Sequence, residues 1–385
     1  MQNQTQTSCI DHPSGYLALS ARNSFFPPAD SHVLPSASVN CAPVSDGAGF
    51  ISYRRQGRHL FLFGGVHAPM DQQAGLLDAF LRHAAAQRCA VVAVQLRATQ
   101  LALFAERGFV INRLGTSFGV RLDRFSLAGT RRMKLRNKIA RARRLGLRVL
   151  EVGRDLPRSV ETYDALQAIS GHWLRRKGKK ELDFMIGELG LPEDRRRRIF
   201  VVTGPTSSCD QDHQLGPDHS PDRGPDPNRN DCDTSGRNDC DISGRNELPH
   251  TWLGFITYVP VYGQQPGYLH DLTRRLPDAP PGAMELCNAE AMSRLHAEGC
   301  THLHFGFTPF VIDAQDAIPA SIHSSRLLEK AVHMLYRHGR LIYPAQSQAD
   351  YKRKWGPDLI EPEYVAARPL SLRAIWDLLR LTRSL

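Results

Sequence analysis

Residues 268–310 concentrate the side chains of this chain that could do chemistry. Asp271 and Arg274 follow a strand-like segment and lie three residues apart. At this spacing a carboxylate and a guanidinium can meet each other, or hold the ammonium and carbonyl groups of one substrate. A Pro/Gly corner at 277–282, an apolar helix and a strand with a Gly/Pro break follow. This order indicates a substrate pocket, and an ion pair that only fixes the loop is the structural alternative.

Lysines and histidines nearby are further candidates for catalysis. Lys352 and Lys354 lie in a cationic segment that could contact phosphate or stabilise a developing oxyanion, although a solvated charged turn gives the same pattern. His270, His302 and His304 are candidate general bases. The alternation of His302 and His304 on one strand is equally typical of core or edge histidines.

The densest charge feature is a run of nine Arg and Lys residues at 131–148, with no acidic residue between Asp123 and Glu151. It predicts a helix with Thr130 as its N-cap, an apolar face and Gly146 at its end. Like charges this close repel one another unless an anion neutralises them, so we expect RNA or lipid phosphate as the partner. A solvated helix that joins two lobes is the alternative. The apolar face comprises Leu135, Ile139 and Ala142, and the residues assigned to tRNA contact are Arg131, Arg132, Lys134, Arg136, Lys138, Arg141, Arg143 and Arg144.

Composition sets the broad class of the protein. A chain of 385 residues with 41% hydrophobic content can bury a large core, and a net charge of +10 favours polyanionic partners. The eight cysteines form no C-x-x-C pair, and no window approaches the roughly 18 apolar residues of a spanning helix. We expect a soluble protein of the cytoplasm, with peripheral contact at the inner face of the membrane as a further option.

The order of apolar segments predicts a mixed α/β (α+β) fold with two similar halves. Residues 204–249 interrupt the second half with a polar repeat of two copies, which favours an expanded, disordered loop over a metal site. Leu372, Ile375, Trp376 and Leu379 share one face of a terminal helix, which either docks on the protein or contacts a membrane surface. The predicted domains are a tail (1–45), a first lobe (46–128), a basic linker helix (129–150), a second, catalytic lobe (151–368) and an amphipathic helix (369–385).

Many spaced motifs between Phe50 and Ala366 resemble the soluble C-terminal domain of phosphatidylglycerol lysyltransferases, the multiple peptide resistance factor family. The matching pieces are FSLAG (125–129), KLRN (134–137), RAR (141–143), WL (173–174), KG (177–178), 181–187, DLTR (271–274), PDAP (277–280) with Gly282 and Met284, FG (305–306) with Pro309, LYRHG (335–339), YK (351–352) and KW (354–355). The family implies two tandem GNAT-like acyltransferase lobes joined by the basic helix. It also implies that aminoacyl-tRNA and acceptor enter a tunnel from opposite sides.

Carried over to this sequence, the resemblance places Asp271, Arg274, Lys352 and Lys354 at the reaction centre. Glu181, Glu285 and His304 become candidates for substrate binding. The donor would be aminoacyl-tRNA, and the acceptor phosphatidylglycerol, another lipid or a small amine or hydroxyl compound. No metal and no bound cofactor are implied, because the aminoacyl ester is already activated.

The sequence also departs from the family pattern. His304 stands where Asn is usual, and residues 343–350 replace a usual Asn-Phe-x-Gly-Leu-Arg motif. Membrane helices usually precede the domain, whereas a polar segment precedes it here. These differences leave the aminoacyl group and the acceptor open. Two other functions remain as alternatives: an acyl-CoA-dependent GNAT N-acyltransferase, and a non-catalytic module that binds RNA or membranes.

Overall fold

The computed structural model of the protein describes residues 10–27, 49–177, 187, 189–205, 250–312, 318–338 and 345–382. Glu181 and nearly all of the predicted insertion at 204–249 lie outside these ranges. The strands are β1 (Ser24–Phe26), β2 (Ile51–Gln56), β3 (His59–Phe63), β4 (Ala90–Leu96), β5 (Val110–Arg121), β6 (Arg148–Glu151), β7 (Arg198–Pro205), β8 (His250–Val261), β9 (Gly267–Arg275), β10 (His302–Pro309) and β11 (Leu359–Arg368). The helices are α1 (Gly15–Ala18), α2 (Met70–Ala86), α3 (Leu101–Ala105), α4 (Met133–Arg144), α5 (Val160–Lys177), α6 (Ala283–Ala297), α7 (Arg326–His338), α8 (Ala345–Arg353) and α9 (Leu372–Leu381).

All the described strands belong to one mixed sheet. Their order is β1-β2-β3-β4-β11-β5-β10-β9-β8-β7-β6. β11 was assigned to the second lobe, yet it lies between β4 and β5 of the first lobe and is antiparallel to both. β5 in turn pairs with β10. The two halves of the chain therefore share one continuous network of backbone hydrogen bonds, while the lobe boundaries stay a prediction.

The sheet has two helix-covered faces, which alternate along each strand as the pleat requires. In β7, Phe200 and Val202 pack in one cluster with α4 and α6. Their neighbours Ile199 and Val201 pack in another cluster with α5. We call these sides the α4 face and the α5 face.

The N-terminal segment 10–18 is structured, and this corrects the prediction of a tail over residues 1–45. Ile10 and Ala18 are fully buried. Leu17 of α1 packs against clusters from both halves of the sheet, which places α1 on the α5 face. The Arg97 guanidinium donates to the Asp11 carboxylate, which also accepts the backbone N–H of Gln264. The segment therefore ties the two halves together across the α5 face.

Helix α4 confirms most of the prediction for the basic run. Leu135, Ile139 and Ala142 are buried, and Gly146 ends the helix in the left-handed conformation (φ 75°). The predicted cap is wrong, because the helix begins at Met133 and Arg132 stands at the N-cap without a side-chain cap hydrogen bond.

Helix α9 docks on the protein, but with a different face from the predicted one. Ala374 and Asp377 are buried, and the Asp377 carboxylate lies 2.8 Å from Nδ1 of His59. Trp376, predicted on the apolar face, is 55% exposed. Docking therefore leaves an aromatic side chain on the surface.

Candidate active site

A β-bulge in β9 sets the direction of Asp271 and Arg274. β9 holds one residue more than β8 between the pairs formed by Ile256 and Tyr258. Residues three apart in a regular strand point to opposite faces, and the extra residue turns both side chains to the same face. This is the α5 face, where Arg274 contacts helix α5.

Asp271 forms an ion pair with Arg197, not with Arg274 as the sequence analysis considered. The Arg197 Nη1 lies 2.7 Å from Oδ2 of Asp271, and both side chains are buried. The backbone N–H of Gly187 donates to Oδ1 at 3.0 Å, and the Thr257 hydroxyl lies 3.5 Å from Oδ2. Burial raises the pKa of Asp271, and Arg197 opposes this shift. Both oxygens of this carboxylate therefore have partners.

Arg274 packs against α5. Its Nε donates to the Ser170 hydroxyl at 3.2 Å, and its guanidinium carbon lies 4.3 Å from the ring centroid of Trp173. This geometry is that of a cation–π contact. Arg274 is close enough to Asp271 for its charge to act on the pKa of the carboxyl group. The predicted proximity is thus confirmed, but the ionic partner differs.

Strands β9 and β10 separate in the centre of the sheet. They pair in parallel over only three residues, Gly267–Leu269 against His302–His304. Beyond that point β9 continues along β8, and β10 continues along β5 after a register shift between His304 and Gly306. Gly306 has φ 70°, and a Cβ there would meet Leu269 at 2.9 Å. We call the part of the sheet beyond Leu269 and His304, where β9 and β10 no longer pair, the strand split.

Lys352 of α8 reaches the strand split and is buried. Its Nζ donates to the carbonyl oxygens of Gly306 at 2.8 Å and Phe307 at 2.9 Å. Burial lowers the pKa of Lys352 to about 7, and the charge of Glu363 opposes the shift. A lysine with this pKa changes protonation state near neutral pH, which suits a group that binds or moves charge.

Glu363 of β11 is a buried carboxyl group that the sequence analysis missed. It is 2% exposed, and the Ser117 hydroxyl donates to its Oε1. Burial raises the pKa of Glu363 to about 8, against the effects of Ser117 and Lys352. The nearest sequence signal was its position in a β-strand flanked by apolar residues, which does not distinguish it from an exposed glutamate.

Lys354 and Glu285 link α8 to the basic helix. Lys354 Nζ lies 2.8 Å from Oε1 of Glu285, and Lys138 Nζ of α4 lies 3.5 Å from the same oxygen. Although burial acts in the opposite direction, the hydrogen bond from Lys354 lowers the pKa of Glu285. Burial lowers the pKa of Lys354. Two predicted site residues thus come together on the α4 face, beside the strand split.

His270 and His304 are engaged in hydrogen bonds and are not positioned as free general bases. His270 uses both ring nitrogens, with Asn288 Oδ1 at 3.2 Å and Thr273 Oγ1 at 2.7 Å. Burial lowers its pKa to about 3. His304 Nε2 contacts the Gln265 carbonyl at 2.9 Å, and burial lowers its pKa to about 4. Both are neutral near pH 7, as expected for core histidines.

Most cations of α4 face solvent. Lys138 and Arg143 pair with Glu285 and Glu290 of α6, and Arg132 and Arg136 bind backbone carbonyls. Four further cations are exposed and have no bonded partner in the described ranges: Arg131, Lys134, Arg141 and Arg144. They form an unneutralised surface on the α4 face.

The structure therefore divides the predicted site between two faces of the sheet. Lys354, Glu285 and the basic helix lie on the α4 face, and Asp271 and Arg274 lie on the α5 face. Lys352 stands between the two groups at the strand split. The basic helix and the Asp271–Arg274 unit therefore lie on opposite faces of the sheet.

Two structural observations concern other classes of function. Within the described ranges, no set of His, Cys, Asp and Glu side chains is arranged to hold a metal ion. None of the helices in those ranges has the length and apolar character that crossing a bilayer requires.

Comparison with known families gives a match over most of the chain. The model of the family described as phosphatidylglycerol lysyltransferase, C-terminal, matches residues 34–209 and 244–367. Residues 210–243 lie outside the match, within the insertion predicted at 204–249. Residues 10–18, which pack on the α5 face, also lie outside it. A search of curated proteins finds no match.

Three of the solved structures that share the fold illustrate the similarity. L-PGS from Bacillus licheniformis is 20% identical with a TM-score of 0.63, over 88% of this chain and 87% of that chain. The C-terminal domain of a putative lysylphosphatidylglycerol synthetase from Agrobacterium fabrum is 21% identical with a TM-score of 0.60, over 86% and 84%. A conserved protein of unknown function from Bacteroides thetaiotaomicron is 9% identical with a TM-score of 0.54, over 94% of each chain. The predicted mixed α/β fold is confirmed.

Proposed function

Since this chain belongs to the phosphatidylglycerol lysyltransferase C-terminal family, we propose that it transfers an aminoacyl group from aminoacyl-tRNA to phosphatidylglycerol or another lipid or small acceptor. One observation carries the proposal: a buried lysine, Lys352, stands at the strand split, beside a surface of unneutralised cations. A polyanionic donor can bind that surface while its acyl group reaches the lysine.

The donor side is the α4 face. The exposed cations of α4 suit a phosphate backbone, which neutralises them and releases counterions. Lys138 and Lys354 share the Glu285 carboxylate, so the cationic surface continues from α4 to the edge of the strand split. A tRNA bound on α4 would point its acceptor end towards Lys352.

The chemistry needs few groups. The acceptor nucleophile attacks the ester carbonyl, the carbonyl oxygen becomes an oxyanion, and the bond to the tRNA ribose oxygen breaks. Lys352 in its protonated form stabilises the oxyanion, because a positive charge in a buried site acts strongly on developing negative charge. The reaction needs no redox step, since the donor is an activated ester.

The remaining predicted residues take supporting positions in this proposal. Asp271, tied to Arg197, fixes the path of β9 beside the strand split, and Arg274 orders α5 through Ser170 and Trp173. His304 borders the strand split on the α5 face. Glu181 keeps its proposed role in binding the aminoacyl amine.

Contact with a membrane fits the exposed part of α9. Trp376 is exposed between Arg373 and Arg380, which are also exposed, and this combination suits the interface of an anionic bilayer. The acceptor lipid would then be presented where the protein already touches the surface. Vesicle flotation of the wild type and of Trp376→Ser measures this contact, and equal flotation of the two would contradict it.

The decisive experiment combines the purified chain with total charged tRNA and phosphatidylglycerol vesicles supplemented with small amines and alcohols. Mass spectrometry then searches for acceptors with an added aminoacyl mass. We expect the wild type to form such a product, and Lys352→Met to lose about 100-fold or more in rate, the scale of one lost oxyanion contact. Lys330→Met, an exposed lysine of α7, is the matched control.

The proposed tRNA contact is tested separately by measuring tRNA binding. Arg141→Glu combined with Arg144→Glu should weaken tRNA binding and lower the slope of log K against log salt by about 2, because two phosphate contacts are lost. The control is the double variant Arg58→Glu with Arg82→Glu, which makes the same change in net charge at exposed residues of the first half. Absence of any aminoacyl product, or equal loss of binding in both double variants, contradicts the proposal.

A further inference from the structure

Glu363 is a buried carboxyl group that has no role in the chemistry described so far. One of its oxygens, Oε1, accepts from Ser117. The other, Oε2, is buried and has no hydrogen-bond partner in the described part of the chain. A buried, unpartnered carboxyl oxygen is costly in either protonation state, so such a group indicates a role in binding or catalysis.

The surroundings of Glu363 come from four parts of the chain. His12 Nε2 of the N-terminal segment lies 4.0 Å from Oε1, and Lys352 of α8 acts on it by charge. Arg97 and Glu361 also act on it by charge, and they form an ion pair with each other at 3.0 Å. Lys352 directs its Nζ to two backbone carbonyls, and Arg97 is held by Asp11 and Glu361, so neither cation neutralises Glu363 by a direct ion pair.

Through Ser117, Glu363 is connected to a cavity on the α5 face. Ser117, its hydrogen-bond partner, lines a small cavity together with Pro13, Gln265, His304, Gly306 and Glu361. Gly306 is also the residue whose carbonyl holds Lys352, so this cavity adjoins the strand split. The free cations of α4 lie on the other face, which leaves the cavity side for the nucleophile.

Resting on the proposed function, we propose that Glu363 is the proton acceptor for the acceptor nucleophile. Oε2 takes the proton from the hydroxyl or amine as its oxygen or nitrogen bonds to the ester carbonyl carbon. The tetrahedral oxyanion, stabilised by Lys352, then collapses and breaks the bond to the ribose oxygen. That oxygen takes the proton back from Glu363, so the carboxylate is regenerated and no other reactant is needed.

The cavity also limits the acceptor. Pro13 and His12 belong to the segment 10–18, which Asp11 fixes through Arg97 and Gln264. A nucleophile must pass this cover to reach Glu363. The reacting end of the acceptor is therefore a slim polar group, such as a primary alcohol or primary amine.

The test is the pH dependence of transfer in Glu363→Gln, which keeps the size and the contact with Ser117 but cannot take a proton. The reaction needs Glu363 ionised, with a pKa of about 8, and Lys352 protonated, with a pKa of about 7. The wild-type rate should therefore rise with pH to a maximum between these two values and fall above them. We expect Glu363→Gln to lose about 100-fold or more in rate, together with this rising limb, as for loss of a general base. Glu363→Asp keeps a carboxyl group and should retain the limb at a reduced rate.

A second readout does not depend on turnover. Infrared difference spectra should show one carboxylic acid C=O band that titrates near pH 8 in the wild type and disappears in Glu363→Gln. A wild-type protein without such a band overturns the inference. The inference is also overturned if Glu363→Gln transfers with an unchanged rate and pH profile, or if the rising limb is lost in Lys352→Met but not in Glu363→Gln. These outcomes leave the proposed function intact. If no charged tRNA yields a product, the proposed function itself fails and the role of Glu363 with it.

Discussion

Two carboxylates, Asp271 and Glu363, are both buried near the centre of the sheet, but their surroundings differ in kind. Asp271 has a guanidinium at 2.7 Å, a backbone N–H and a hydroxyl group within reach of its two oxygens. Glu363 has one hydroxyl donor and an oxygen without a partner. A fully bonded carboxylate stabilises a conformation, whereas an incompletely bonded one keeps capacity for a substrate.

The two carboxyl groups share a raised pKa but differ in their hydrogen bonds. Burial raises the pKa of both groups. Only at Glu363 does the raised pKa coincide with an unused oxygen beside a cavity. A raised pKa by itself therefore identifies both residues. The hydrogen bonds of each carboxyl group distinguish the structural Asp271 from the reactive Glu363.

The largest expected effect is on stability at the fully bonded pair. Asp271→Asn leaves the buried Arg197 without its main counter-charge, and loss of one partner of a buried pair costs about 3–5 kcal/mol. Asp194 Oδ2 lies 3.5 Å from Arg197 Nε, so we expect the lower end of this range. Urea unfolding measures the change in the free energy of unfolding.

Asp78→Asn is the control for this variant, because it breaks the exposed ion pair with Arg107 and should cost at most about 1 kcal/mol. A loss below about 1 kcal/mol in Asp271→Asn, combined with loss of aminoacyl transfer, would show that Asp271 acts chemically. The comparison with Glu363 would then be wrong.

The next effect is a pH dependence of stability. The folded state holds the Glu363 proton up to about pH 8, while the unfolded chain releases it near the ordinary value of 4.5, so stability falls as pH rises between these values. Lys352 acts in the opposite direction, because its pKa is about 7 in the folded state and 10.5 ordinarily, so stability rises from about pH 7 upwards. The buried neutral histidines His270 and His304, with pKa values of about 3 and 4, add a rise in stability up to about pH 6.5, so the contributions of Glu363 and Lys352 are read as differences between wild type and variant.

Urea unfolding from pH 5 to 9 tests this expectation. Relative to the wild type, Glu363→Gln should lose the falling contribution and Lys352→Met the rising one, each by an amount on the order of a few kcal/mol across its window. Asp271 also has a raised pKa, so a smaller fall should remain in Glu363→Gln. Parallel curves for all three proteins would contradict the assignment of the two groups.

The smallest effect concerns Ser117. Its hydroxyl is the only hydrogen-bond donor to Glu363 in the described ranges, and it opposes the rise in the carboxyl pKa. Ser117→Ala should cost about 1 kcal/mol of stability, the scale of one net hydrogen bond, and move the rate profile to higher pH. A profile that moves to lower pH would show that Ser117 does not contact the carboxyl group in solution.

Local patterns in the sequence predicted the local parts of this structure. Leu135, Ile139 and Ala142 gave the buried face of α4, and Gly146 gave its end, because both signals depend on spacing within one helix. The family motifs also located Lys352, Lys354 and Glu285, which the structure brings together beside the strand split. The spacing of Asp271 and Arg274 suggested their proximity, which a bulge in β9 then provides.

Long-range contacts explain what the sequence did not predict. Arg197 lies 74 residues from Asp271, and Ser117 lies 246 residues from Glu363, so neither pair leaves a periodic signal. The run of arginines at 195–198 marked a cationic segment but not which member is buried. Residues 10–18 were assigned to a tail because their apolar side chains follow no period, and they become ordered through contacts with distant strands.

The position of β11 has a consequence for biosynthesis. β11 fills the place between β4 and β5, so until residues 359–368 emerge from the ribosome both neighbours present unpaired backbone groups. Such open edges invite pairing with other chains. Newly made protein should therefore depend on chaperones up to the last stage of translation, and truncation before residue 359 should yield aggregates rather than a smaller domain.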